Sequence, residues 1–202
     1  MCDETVVMGE LQIPESTGEA AQELAVSIEK MVYGGEGLAR TDLGVLLVPM
    51  VMPGERVRAV LDERSKGVRR GRLTEVMESS PDRVAPACPY FSHCGGCHYQ
   101  HIRYERQIEL KRDVLLECFE RIGKIKLELP VELHSSEPWN YRNRTRLRIE
   151  KDSSRFEIGY FEPHSHKLCA IEKCPISSPA INEIIGRLAK GDGAQLFPEG
   201  SA

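Results

Sequence analysis

The 202-residue sequence contains no apolar run that approaches the roughly eighteen residues of a membrane-crossing helix. Its first twenty residues lack the basic start and apolar core of a secretory signal. Both absences argue against membrane and secreted classes, so a cytoplasmic protein with no membrane partner is expected. No internal repeat is present, which excludes solenoid and fibrous architectures. The first 23 residues carry six acids and neither Lys nor Arg. An acidic, disordered tail is therefore expected over 1–22. Without that segment the chain holds 27 basic against 25 acidic residues. A mildly basic body permits a nucleic-acid partner without demanding one.

Cysteine, by contrast, is plentiful, with seven residues. In a chain expected to stay where thiols are kept reduced, they are better read as metal ligands than as a disulfide framework. Cys88, Cys94 and Cys97 lie in the run Cys88-Pro-Tyr-Phe-Ser-His-Cys94-Gly-Gly-Cys97, and Cys174 stands far downstream before Pro175. Two glycines between Cys94 and Cys97 let the backbone wrap a metal and offer N–H groups to the sulfurs. Cys174 must close across 76 intervening residues, at a cost of about 4 kcal/mol. Structural metal binding at about 10–16 kcal/mol covers that. By spacing alone an iron–sulfur cluster and a zinc site on four cysteines compete, with unrelated core cysteines as the third reading. His93, His98 and His101 flank the run as substitute ligands or supporting groups. Cys2 sits in the tail and Cys169 in an expected strand, so neither is put forward.

From Leu24 the apolar pattern has period two, with Leu24, Val26 and Ile28 alternating with Ala25, Ser27 and Glu29. A turn is expected at Tyr33-Gly34-Gly35-Glu36-Gly37, then short strands at 45–48, 56–61 and 68–76, punctuated by Pro49, Pro53-Gly54 and Gly67. Such spacing suits a small barrel. A boundary is placed near residue 80. Beyond the cysteines, 104–122 reads as an amphipathic helix with Ile108, Leu115, Phe119 and Ile122 on its packed side and Gly123 as its stop. Strands are expected at 156–161 and 167–171 around Pro163-His164-Ser165-His166, followed by a short helix with Ser178 as N-cap and Pro179 at its first position. The fold class is mainly β with an α+β second part.

Tyr141-Arg142-Asn143-Arg144-Thr145-Arg146-Leu147-Arg148-Ile149 is the remaining signal. If extended, it places Arg142, Arg144, Arg146 and Arg148 on one face at about 6.6 Å steps. Four guanidinium groups so spaced need anions. Phosphates would serve, and so would neighbouring acids such as Glu150 or Glu157. Trp139 and Tyr141 beside the row are candidates for stacking on bases or for the core. On the barrel, Arg56, Arg58, Arg69, Arg70 and Arg72 form either a solvated basic face or an RNA-contacting one.

Taken together, Cys88-x5-Cys94-Gly-Gly-Cys97 with Gln100-His101, Trp139-Asn140-Tyr141-Arg142-Asn143, Gly159-Tyr160 with Ser165-His166, and Cys174-Pro175-Ile176 resemble the RNA uracil-5-methyltransferases, in particular the iron–sulfur type that modifies 23S ribosomal RNA. The resemblance implies an OB-like TRAM barrel that binds RNA over 23–80 and a central iron–sulfur domain, here incomplete, over 81–202. It also implies a [4Fe-4S] cluster on Cys88, Cys94, Cys97 and Cys174, and ribosomal RNA as partner, with Tyr141, Arg142, Arg144, Arg146, Arg148, Arg70 and Arg72 as contacts. The family's S-adenosylmethionine-binding Rossmann-like domain and its cysteine nucleophile have no counterpart here. Gly191-Asp192-Gly193 is too short for a nucleotide loop, and the last 28 residues hold no cysteine. No catalytic residue is assigned, and the chain is expected to be inactive without a methyltransferase domain, separate or missing. The alternative is a stand-alone iron–sulfur or zinc module with a redox or RNA-binding role.

Overall fold

A computed structural model of the protein describes residues 22–62, 68–151 and 156–192. The acidic segment, Gly67 and Gly193 lie outside the described residues. Strands β1 (Glu23–Ser27) and β2 (Lys30–Met31) are separated in the chain by two residues, yet they stand at opposite ends of a six-stranded sheet of order β1-β5-β6-β4-β3-β2. The sheet must curl until its ends meet. Across the gap, Ile28 N–H donates to Glu55 O at 2.8 Å on one side and Glu29 N–H to Leu38 O at 2.8 Å on the other. The other members are β3 (Glu36–Thr41), β4 (Gly44–Pro49), β5 (Arg56–Asp62) and β6 (Arg69–Glu78). All neighbours run antiparallel except β4 and β6. Strand spacing led us to expect a small barrel, and the curled sheet is of the OB-like kind that the resemblance implied.

Alternation explains the core. In β5, Val57 and Ala59 turn inward while Arg56 and Arg58 face water, and Val26, Ile28, Ala39, Leu46, Val48 and Val51 complete the buried set. Strands β2 and β3 were not marked in the sequence because Glu36-Gly37-Leu38-Ala39-Arg40-Thr41 carries little β-branched signal. At Gly37 the reason for the small residue is close packing: a Cβ would lie 2.4 Å from Val51 Cγ2.

After β6 the chain forms helix α1 (Tyr104–Glu117), which widens into one π-helical turn, Cys118–Ile122. Gly123 N–H bonds to Cys118 O at 3.0 Å and stops it. The packed side is not the expected one. Leu110 is buried and Val114 half-buried against Met31, Met52 and Ile102, whereas Leu115, Leu116 and Ile122 are exposed. Apolar spacing fitted two stripes on this helix, and the barrel's two methionines select the stripe through Leu110.

A second sheet, β7 (Arg148–Lys151), β8 (Phe156–Phe161) and β9 (Leu168–Ala170), is antiparallel and packs on α2 (Pro179–Arg187). Ile158, Cys169, Ile171, Cys174, Ile176 and Ile185 form its core. Ser178 caps α2 and Pro179 opens it, as expected. Gly159 permits the close approach of β8 and β9, since a Cβ there would lie 1.9 Å from Cys169 O.

A buried polar junction ties the two sheets' regions together. Glu55, 1% exposed, receives Arg83 Nε at 2.5 Å and Nη2 at 2.7 Å. Its carboxylate also accepts Met52 N–H at 3.0 Å, and Arg83 donates to Met50 O at 2.9 Å. Beside it His101, 1% exposed, places Nε2 3.1 Å from Val51 O. Burial pushes the His101 pKa down to about 4 from an ordinary 6.5, with the neighbouring Arg83 charge adding to the shift.

Folded His101 thus refuses a proton that the unfolded chain accepts, so its contribution is complete above pH 6.5 and is lost as pH falls toward about 4. The loss amounts to roughly 3 kcal/mol. Urea unfolding of the wild type and His101→Gln between neutral pH and pH about 4.5 tests this. The wild type should lose clearly more stability than the variant, and equal losses would remove His101 from the acid response.

Candidate metal centre and basic face

The cysteine run is folded as consecutive tight turns. Phe91 N–H bonds to Cys88 O at 3.1 Å, and Tyr90 O accepts both His93 N–H at 3.2 Å and Cys94 N–H at 2.8 Å. Gly95 N–H then bonds to Phe161 O at 2.9 Å, and a Cβ on Gly95 would meet that same oxygen at 2.9 Å. The loop is therefore pressed flat against the end of β8, and only glycine fits. Gly96 N–H points at Cys94 Sγ, 3.4 Å away. Gln100 Oε1 accepts Cys88 N–H at 3.2 Å and so ties the two ends of the run together.

Cys174 reaches the same place from the other side. Its N–H donates to Asn182 Oδ1 at 2.7 Å, and Asn182 Nδ2 donates to Cys174 O at 2.9 Å and Ser177 O at 3.0 Å. The 140–142 stretch pairs alongside, with Asn140 N–H to Pro175 O at 3.0 Å and Arg142 N–H to Ile176 O at 2.8 Å. Cys88, Cys94, Cys97 and Cys174 then line one cavity of about 360 Å³, counted with the solvent at its mouth, together with Arg142 and Tyr160. Cys174 is buried and the other three are half-buried.

Burial pushes the Cys94 thiol up to about 11, and Cys169, Cys97 and Cys88 push in the same direction against the Gly96 N–H. Burial likewise raises Cys88, with Cys97 and Cys174 adding to it. Burial raises Cys97 too, reinforced by Cys174 and opposed by the Gln100 hydrogen bond and the Arg142 charge. Several thiolates cannot share this dry recess unless positive charge enters with them. A metal centre supplies that charge and displaces the thiol protons, so the donor set suits one. Among the described residues, no group of three or more His, Cys, Asp or Glu side chains is close enough together to enclose a metal ion. The four cysteines share the cavity wall instead.

The flanking histidines do not substitute for them. His93 and His98 are exposed, His101 turns toward the barrel, and none lines the cavity. Cys169, set aside in the sequence, is buried in the same core cluster and lies near enough to Cys94 to raise its pKa. Asn182 was also missed. It falls one helical turn after the Ser178 cap, and only the folded position of the Cys174 loop gives it partners.

The arginine row is only partly as expected. The strand begins at Arg148, and the alternation holds from Arg144 onward, with Arg144, Arg146 and Arg148 exposed between half-buried Thr145, Leu147 and Ile149. Arg142 departs from that face. It forms a bridge with Ser177 and lines the cysteine cavity. Arg148 lies over the Phe161 ring at 5.6 Å. Among the described residues no carboxylate forms an ion pair with Arg144 or Arg146, although Glu150 and Glu157 face each other across β7 and β8. Tyr141 is 58% and Trp139 37% exposed. The barrel arginines are committed elsewhere. Arg70 pairs with Glu36 at 3.0 Å, Arg58 with Glu75 at 2.7 Å and Arg56 with Glu78 at 3.4 Å, while Arg69 donates to Leu43 O. Arg72 is exposed on β6.

No protein-family model matches the chain. The chain is 37% identical to the 23S rRNA (uracil(1939)-C(5))-methyltransferase RlmD of Alkalilimnicola ehrlichii, over 82% of this chain and 38% of that protein. It is 32% identical to an uncharacterized RNA methyltransferase of Halalkalibacterium halodurans, over 88% of this chain and 38% of that protein. A solved structure, the Pyrococcus abyssi tRNA (uracil-54, C5)-methyltransferase in complex with S-adenosyl-L-homocysteine, aligns with TM-score 0.54 at 29% identity, over 81% of this chain and 35% of that one. The chain thus spans about two fifths of the length of the curated relatives it matches.

Asn182 holds the Cys174 loop through three hydrogen bonds without lining the cavity. Asn182→Ala should weaken metal retention at least about tenfold, as loss of a supporting hydrogen-bond partner does. Elemental analysis after anaerobic preparation and chelator challenge measures it. Retention equal to that of the wild type would show that the loop needs no such support.

Proposed function

Because this chain belongs with the RNA uracil-C5 methyltransferases over the segment it shares with them, we propose that it is the RNA-recognition and cluster-holding portion of such an enzyme, acting on ribosomal RNA in the cytoplasm. The observation that carries this reading is the adjacency of the four-cysteine cavity to an exposed arginine row that has no acid partners among the described residues. Cys88, Cys94, Cys97 and Cys174 would hold a [4Fe-4S] cluster. The resemblance set out above favours iron–sulfur over a single zinc ion, which would draw four sulfurs to about 2.3 Å from one point, whereas a four-iron cluster takes one cysteine at each iron. The cluster supplies positive charge and a rigid crosslink, and it fixes the segment that carries the arginines.

Arg144, Arg146 and Arg148 present guanidinium groups to solvent at alternating positions, the arrangement that suits successive phosphates. Tyr141 and Trp139 at the head of the row offer ring faces for unstacked bases. Arg72 extends the basic surface on the barrel, while Arg70 is held by Glu36 and Arg142 by the cysteine cavity, so neither is counted among the primary phosphate contacts. The barrel, a TRAM-like OB domain on this reading, acts as the platform that orients the row. Methyl transfer belongs to a separate S-adenosylmethionine-binding domain, and none of this chain's cysteines serves as its nucleophile. The described residues contain no helix long and apolar enough to cross a membrane.

RNA affinity should fall with salt, and Arg144→Ala with Arg146→Ala should flatten the log–log slope by about 1.4, from about 0.7 per phosphate on a single strand. Fluorescence anisotropy across a salt series measures it, and an unchanged slope takes the row off the RNA surface. In anaerobically prepared protein, iron and sulfide are expected in the metal analysis. Zinc in their place overturns the iron–sulfur assignment.

A further inference from the structure

The cysteine loop has a second side. Gly95, pressed on Phe161 O, forms the floor of a separate surface recess whose walls are His98, Phe161, His164, Ser165 and His166. It measures about 350 Å³, within the range of small-ligand sites. We infer that this recess is a binding site for one unstacked nucleotide of the RNA, with imidazoles contacting the base. The inference rests on the RNA-binding reading above and adds to it a site that the arginine row does not include.

Three features converge on it. The first is chemistry. Three imidazoles combine flat faces with ring nitrogens that donate or accept, the pairing of stacking and edge contacts by which unpaired bases are recognised. His166 already meets the Phe161 ring edge-on, with centroids 5.4 Å apart at 82°, which fixes its plane. The second is backbone conformation. His164 sits at φ 54° in the turn between β8 and β9, a left-handed conformation that His, like Asn and Asp, adopts more readily than other side chains. The turn is bound by Glu162 N–H to Lys167 O at 2.9 Å and Ser165 N–H to Glu162 O at 3.2 Å, which fixes the backbone from which the imidazole projects.

The third feature is continuity with the basic row. Arg148 stacks over the same Phe161 ring that walls the recess, so the line from Arg144 to Arg148 ends at its rim. A strand whose phosphates follow those arginines delivers its next base to the histidines. On the other flank, His98 is backed by the barrel's turn, where a Cβ on Gly35 would lie 2.6 Å from His98 Cβ. The recess is therefore bounded by the cysteine loop, the β8–β9 turn and a side chain that the barrel supports. Glu162, the acid at its edge, is engaged by Lys167 at 2.9 Å. Among the described residues the histidines are not gathered closely enough to enclose a metal ion.

The test uses the complete chain, prepared anaerobically, and a fluorescent single-stranded oligoribonucleotide. His164→Gly removes an imidazole while relieving the left-handed conformation, and so leaves folding intact. His166→Phe keeps the ring packing and removes the ring nitrogens. Each should weaken binding about fivefold, the lower end for loss of one base contact. The salt slope should stay unchanged, because a lost base contact removes no phosphate contact. An oligonucleotide carrying 4-thiouridine should photo-cross-link within the β8–β9 turn. If the Arg144 and Arg146 variants weaken binding while both histidine variants bind like the wild type and no cross-link falls there, the recess is overturned and the RNA reading stands. If the chain binds no RNA at all, both fall.

Discussion

Four thiols gathered in one poorly solvated cavity are the constraint on which the second half of this molecule depends. Burial pushes Cys88, Cys94 and Cys97 toward their neutral forms, and charge on any one of them penalises its neighbours. The chain nonetheless devotes glycines, an asparagine clamp and an arginine to keeping the four together. Apolar packing alone does not account for that arrangement, since buried cysteines behave as small hydrophobes and need no such alignment. On the proposed reading metal binding would, because it exchanges thiol protons for a multivalent cation and releases enough free energy to close the long loop to Cys174. Segments that share no sequence proximity, 88–97, 140–142 and 174–178, are neighbours around this one cavity.

What is fixed there propagates into the barrel. Beyond exposed His98 the chain turns back into the protein. Gln100 binds back to Cys88, His101 is buried on Val51 O, and Ile102 packs with Met31, Met52 and Leu110. Arg83, on the other flank of the cysteine run, is clamped by Glu55 inside the barrel's edge. Both chain segments that enter and leave the cysteine loop are thus anchored in the same place. A buried ion pair with extra backbone partners contributes little net stability, but either member alone costs several kcal/mol. The pairing therefore specifies how the barrel sits against the cysteine loop more than it strengthens the whole.

Much of this was legible in the sequence wherever one physical signal dominated. Period-two alternation marked β1, short strand-like runs between turn residues marked β5 and β8, and Ser178-Pro179 marked the start of α2. The four cysteines that spacing singled out, Cys88, Cys94, Cys97 and Cys174, line one cavity. Failures came where two readings fitted the same letters. On α1, Leu115 and Ile122 fell on an acceptable apolar stripe, yet partners in the barrel, invisible to local periodicity, chose Leu110 and Val114. In 141–149 the alternation of Arg with smaller residues implied one face, but the backbone pairing of Arg142 with Ser177 turns that residue inward before the strand begins. Asn182 was unreadable for a different reason. Its importance depends on where Cys174 ends up.

The fate of the arginines bears on how labour is divided. A basic strand looks alike in sequence whether its charges are neutralised internally or kept for a partner, and only acids on neighbouring strands decide. In the barrel those acids are present: Glu75, Glu78 and Glu36 stand opposite Arg58, Arg56 and Arg70. Surface pairs of this kind add little stability, but they cancel most of the field that would attract a polyanion. At Arg144 and Arg146 no such cancellation occurs among the described residues, and Arg148 is held over an aromatic ring rather than a carboxylate. The attractive potential is thereby concentrated beside the cysteine loop and away from the barrel's face. On the proposed reading, the cluster's structural role and the RNA-contacting role then occupy the same few residues, because the segment that presents the arginines is the one whose first turn is pinned to Pro175 and Ile176. Loss of the metal centre would release that pin and disperse the row, so recognition would fail before the barrel itself unfolded.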